Sequence, residues 1–117
     1  MAAGSVLGGF ARYWLAGGIY RVAGSGFPYG TLAVNISGCL LMGALNVVAQ
    51  ERMLLTHEVR IFLMTGFCGA FTTFSTFILE TSELMKAGET LRAAANVAGS
   101  AGLGFLFFKL GEELGRI

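Results

Sequence analysis

Charge is what this sequence has least of. Only 13% of its 117 residues are Asp, Glu, Lys or Arg, about half the share of an ordinary soluble domain. The formal net charge of +1 leaves no basic footprint for nucleic acid and no acidic tail. There is one proline, Pro28, and no linker long enough to divide the chain. The two cysteines, Cys39 and Cys68, sit in apolar runs. They are too few for a disulfide framework and have no neighbours for a zinc site, so they read as small buried apolar residues. The one histidine, His57, has no Cys or Asp nearby and falls in a charged turn, where it reads as solvated. No Ser/His/Asp set, metal cluster or nucleotide loop is present, so the sequence does not read as an enzyme. A basic n-region is also missing, because Arg12 follows the first apolar residues; residues 1–25 read as structure, not as a removed leader.

What remains is hydrophobic, at 55% of residues. Four apolar stretches run over about 2–23, 29–50, 59–82 and 91–111, each near the ~20 residues a helix needs to cross a bilayer. The breaks GSGFPYG, QERMLLTHE and KAGET are turn-like. In lipid the backbone must satisfy itself, which leaves helices or a closed barrel. Barrel strands alternate over about ten residues, whereas these runs are continuous. The expectation is an all-α membrane protein, one integral domain over 1–117 with four transmembrane helices. A soluble bundle is the poor rival, for it lacks a polar outer face.

Glycine, at 18 residues, suits such a bundle because small residues let helices approach closely. Gly38, Gly43 and the stretch Ala98–Gly104 read as contact surfaces. Four spans place both termini on one side, with Arg52, Arg60, Lys109 and Arg116; the other side holds Arg21, Lys86 and Arg92. Four against three gives no orientation bias under the positive-inside rule. Such a chain can insert both ways and pair as an antiparallel homodimer, or be oriented by other means. Charge alone leaves these level.

Polar groups inside a span mark function or helix contact. Asn35, in GTLAVNISG, stands evenly between interhelical glue and a pathway. Glu80 and Glu83 lie near the end of the third span, while the first and second contain no acidic residue. Arg12 lies within the first. The most unusual stretch is GFCGAFTTFSTFILE (66–80). Phe71, Phe74 and Phe77 recur every third residue, with Thr72, Thr73, Ser75 and Thr76 between them. The spaced glycines Gly66 and Gly69, followed by hydroxyls, favour a helix broken near the midplane whose freed carbonyls need a partner. The positive edges of the rings suit an anion, and the rings equally suit packing. Spacing does not choose between the two.

GTLAVNISG followed by GFCGAFTTFSTF, with GGFARY (8–13) before them, resembles the CrcB/Fluc family of fluoride channels across all four spans. The resemblance implies passive, fluoride-selective export of cytoplasmic fluoride through the cell inner membrane. It implies a dual-topology antiparallel homodimer with two pores and a central structural sodium ion. Asn35 matches the family's pore asparagine, and Phe74 and Phe77 match its pore phenylalanines. Gly69 and Thr72 match positions whose backbone carbonyls hold the sodium. Thr31, Ser100 and Glu80 resemble its polar lining, and Arg12 its vestibule arginine. The departures are Ala70, Asn96 and Gly104, of which Asn96 and Gly104 bear on the fourth-span lining. The chief rival is a small four-helix proton-coupled multidrug exporter. Such a carrier needs a carboxylate, typically in the first span, and none is there.

Overall fold

A computed structural model describes residues 1–24 and 26–117. Helix α1 covers Ala2–Ala23 and α2 covers Tyr29–Gln50, the same limits the hydropathy gives. The turn between them includes Gly24, whose φ of +81° suits glycine; Ser25, also in the expected turn, lies outside the described residues. The third span is composite. It begins as α3 (His57–Arg60), capped by the Thr56 hydroxyl, which accepts from the Val59 N–H. It loosens into a π-helix over Ile61–Cys68, returns to α4 (Gly69–Phe71), stops, and resumes as α5 (Ser75–Lys86). Helix α6, Thr90–Arg116, is longer than its apolar stretch.

Three of these units are long and apolar enough to cross a membrane: Tyr29–Gln50, His57–Lys86 and Thr90–Arg116. Helix α1 matches α2 in length, at 22 residues, but its glycines, Arg12 and Arg21 dilute its hydropathy. The apolar side chains point outward. Only 17% of the residues in the apolar windows of the third and fourth units are buried, and Phe10, Trp14, Phe105 and Leu106 are exposed. A water-soluble protein places such side chains inside; here the fold turns them towards lipid or another protein.

Glycine holds the bundle together by backbone contact. A Cβ at Gly4 would lie 2.2 Å from the Phe62 carbonyl oxygen, and one at Gly8 would lie 2.3 Å from that of Phe67. Helix α1 therefore lies directly on the π-helix. Gly43 and Gly111 bring α2 and α6 together in the same way, against the carbonyls of Phe108 and Leu40. The Ala98–Gly104 contact surface forms only in part. Gly104 meets the Cys39 sulfur, but Gly99 and Gly102 face open space. The close α2–α6 contact is instead made about two to three turns further along, at Gly111 and Gly115.

The expectation that Gly66 and Gly69 make the break also needs correction. Both are helical; Gly69 has φ −62° and ψ −38°. Gly66 serves packing, since a Cβ there would meet the Met1 carbonyl oxygen at 2.7 Å. The chain opens later, at Thr72–Phe74, where Thr72 becomes extended with φ −90° and ψ 159°.

Candidate functional site

The opening is held by one side chain from the neighbouring helix. The Asn35 amide donates from Nδ2 to the Thr73 carbonyl at 3.0 Å, and Asn35 Oδ1 accepts from the Thr73 N–H at 2.8 Å. An asparagine matches both backbone groups of one residue because it carries a donor and an acceptor on one planar group. Gly38, three residues on and on the same face of α2, makes room: a Cβ there would lie 2.2 Å from Thr72 Cγ2. Two hydroxyls complete the break. Thr72 Oγ1 donates to the Cys68 carbonyl at 2.9 Å, and Thr73 Oγ1 accepts from the Thr76 N–H, in the first turn of α5, at 3.3 Å.

These bonds release two backbone carbonyls. In an α-helix the carbonyl of residue i accepts from the N–H of residue i+4. Gly69 would pair with Thr73, and Thr72 with Thr76. Both donors have gone elsewhere, to Asn35 Oδ1 and Thr73 Oγ1. Gly69 also has nothing near the position of a Cβ, so this corner of the break faces outward.

On one side of Thr73 lies a cavity of about 580 Å³, lined among others by Arg12, Tyr20, Thr31, Thr73, Glu80 and Glu83. The Glu80 carboxylate accepts from the Tyr20 hydroxyl at 2.6 Å and from the Thr31 hydroxyl. Tyr20 reaches it because its ring lies over Gly30, where a Cβ would come within 2.5 Å of the ring. On the other side lies a cavity of about 270 Å³ that takes in Asn35, Thr72 and Phe74. Thr73 lines both.

The three phenylalanines part company. Phe71 is buried and stacked on Phe67, with ring centroids 5.6 Å apart. Phe74 is 74% exposed, and its ring lies 5.9 Å from that of the half-buried Phe77, tilted by 45°. Behind Phe77 runs a polar chain: Ser100 donates to Asn96, Asn96 donates to Thr81 at 2.9 Å, and Thr81 donates to the Phe77 carbonyl at 2.8 Å. Arg12, Thr31 and Glu80 thus meet in one cavity and Asn35 with Phe74 in the other, while Phe77 and Ser100 line neither. The sequence reading named Thr73 only as one of the hydroxyls between the rings, and missed Tyr20 and Thr81. Thr81 carried a faint signal, a hydroxyl four residues after Phe77 and so positioned to bond its carbonyl; Tyr20 carried none.

The sequence profile of the CrcB-like protein, Camphor Resistance (CrcB) family matches residues 1–112. The chain belongs to the CrcB family. It is a multi-pass membrane protein, not an enzyme. It is 47% identical over its whole length to the fluoride-specific ion channel FluC of Solidesulfovibrio magneticus, covering 94% of that protein. It is 41% identical to the FluC of Maridesulfovibrio salexigens, over all of this chain and 93% of the relative. With the FluC of Geobacter sulfurreducens it shares 48% identity over 83% of this chain and 78% of the relative. The first two similarities run the whole length of this chain.

Proposed function

We propose that this chain is a fluoride-selective passive ion channel that lets cytoplasmic fluoride leave across the cell membrane. The observation that carries the reading is the Asn35–Thr73 pairing, which opens the third span between two cavities, one holding Arg12, Thr31 and Glu80 and the other holding Asn35 and Phe74. The names of the similar proteins supply the ion. Fluoride is small and strongly hydrated, so its passage needs neutral donors that replace part of its water and still release it. Asn35 keeps one amide hydrogen beyond the one bound to Thr73. Phe74 and Phe77 offer positive ring edges, and the Thr31, Tyr20 and Ser100 hydroxyls, whose hydrogens are held by Glu80 and Asn96 in the subunit, become donors to fluoride on turning from those partners. Arg12 draws the anion to the cavity mouth, and Glu80 orients the Thr31 and Tyr20 hydroxyls.

The working unit is an antiparallel homodimer of single-domain subunits (1–117), with two pores. Its support is the near-even basic count on the two sides and the outward-facing corner at Gly69. The released carbonyls of Gly69 and Thr72 fit a hard cation, which takes oxygen ligands. Two copies meeting there would offer four such oxygens to a sodium ion. When bound, that ion supplies a fixed positive field. The chain's own part is to hold the two carbonyls away from helical partners, through Asn35 and Thr73.

The test is efflux. Purified protein in liposomes loaded with potassium fluoride should release fluoride once valinomycin carries the compensating potassium. Liposomes that retain their fluoride overturn the proposal.

A further inference from the structure

The smaller cavity has a second character that the fluoride reading does not use. Its wall carries three sulfur side chains: Cys39 and Met42 from α2, and Cys68 from the end of the π-helix. Both cysteines are free thiols. Cys68 is 1% exposed, and Cys39 and Met42 are half-buried. The Cys39 side chain is turned towards α6, where its sulfur lies 3.5 Å from the position of a Cβ on Gly104. Among the described residues no three His, Cys, Asp or Glu side chains converge. Two thiols and a thioether around one cavity of about 270 Å³ form a different donor set.

We propose that this cavity binds a soft monovalent cation, Cu⁺, through Cys39, Cys68 and Met42. Thiolate and thioether sulfur select Cu⁺ over hard cations. Phe74 and Phe108 add apolar surface beside the sulfurs. On binding, each thiol forms a copper–sulfur bond and loses its proton to water; Met42 adds a neutral lone pair. One Cu⁺ and two thiols thus give a bis-thiolate with one net negative charge and two released protons, with no change of oxidation state. That negative charge sits in the cavity shared with Asn35 and Phe74, where it repels an anion. Cu⁺ therefore closes the path to fluoride. This consequence rests on the channel reading, whereas the binding does not.

The test uses the purified protein in detergent, with Cu⁺ kept reduced by ascorbate and shared with a coloured Cu⁺ chelator. One Cu⁺ should bind per chain. Cys39→Ala and Cys68→Ala should each weaken binding at least about 10-fold, and Met42→Leu should weaken it less. Because two protons leave, affinity should rise by up to about 100-fold per pH unit below the thiol range. Binding that survives both cysteine substitutions, or that ignores pH, overturns the proposal. Cys39 is only half-buried, so its alanine variant remains informative if Cys68→Ala does not fold. In liposomes Cu⁺ should slow fluoride efflux from the native protein but not from Cys39→Ala, and chelator should restore it. Efflux unchanged at saturating Cu⁺ would remove the ion from the pathway cavity. If the protein passes no fluoride at all, the binding isotherm still decides the question.

Discussion

Asn35 holds both the N–H and the C=O of Thr73, taking the place that helical neighbours would otherwise fill. The pathway role proposed for this residue would rest on the same bond as its helix contact, since the bond that ties α2 to the third span sits where that span opens. Removing the amide should cost both functions. Asn35→Ala leaves two backbone groups unpaired, each costing about 1–3 kcal/mol when buried, and should lower the melting temperature and abolish fluoride efflux together. Asn35→Asp still accepts from the Thr73 N–H but cannot donate to its carbonyl, and it places a negative charge on the path. It should melt between the other two and conduct no better than the alanine variant.

Gly38 and Thr72 form a steric pair. A methyl at residue 38 collides with Thr72 Cγ2 but lies 3.7 Å from Thr72 Cβ, an ordinary contact, and 3.4 Å from the Phe71 ring. Gly38→Ala should therefore impair folding and efflux. The double variant Gly38→Ala with Thr72→Ser, which lacks Cγ2 but keeps the hydroxyl and the carbonyl, should recover most of both. A thermal melt and an efflux trace on the four members of this cycle check it; absence of recovery would mean that Thr72 Cγ2 is not the obstacle.

The rings divide by exposure. Phe74 is exposed in the subunit and Phe71 is buried. Phe74→Met and Phe77→Ile remove the ring edge while keeping bulk, and should cut fluoride efflux at least about 10-fold, a loss of about 1.4 kcal/mol in barrier terms, with the protein still purifying intact. Phe71→Leu should instead lower stability, by up to about 1.5 kcal/mol, and leave efflux per folded protein unchanged.

Outside the spans, Glu51 accepts two hydrogen bonds from Arg116, each 2.9 Å, which hold its carboxylate below the usual range. A depressed acid stabilises the fold above its unfolded pKa and loses that contribution as pH falls through the folded value. The melting-temperature gap between the native protein and Glu51→Gln should be present at pH 7 and close in acid, below about pH 4. The gap should be small, because exposed ion pairs contribute little.

If the subunits insert in both directions, a single exposed cysteine must appear on both faces of the membrane. Met53 is 81% exposed in the loop after α2. With Cys39 and Cys68 replaced, Met53→Cys should react with an impermeant maleimide from outside intact cells to about half completion, and fully after lysis. Complete or absent labelling from outside would contradict dual topology.

Much of this architecture was legible in the residues. The limits of α1 and α2 follow from hydropathy and turn chemistry, which are local. The position of the break was not legible, because it depends on a bond from Asn35 to a residue 38 positions away. Local rules pointed to Gly66, a residue that folding uses for contact with Met1. The glycine pairing of α2 with α6 was obscured for a similar reason: small residues show that a helix can be approached closely, not which partner approaches. Tyr20 joins Glu80 and Thr31 only once α1, α2 and α5 are assembled.

The most direct test measures fluoride and chloride efflux from the same liposomes, containing only the purified protein, with and without a pH gradient. The account predicts release of fluoride that depends on valinomycin, continues at equal pH on both sides, and leaves chloride retained. Equal release of chloride, or fluoride release that stops when the pH gradient is removed, would contradict it; the second result would favour a proton-coupled carrier.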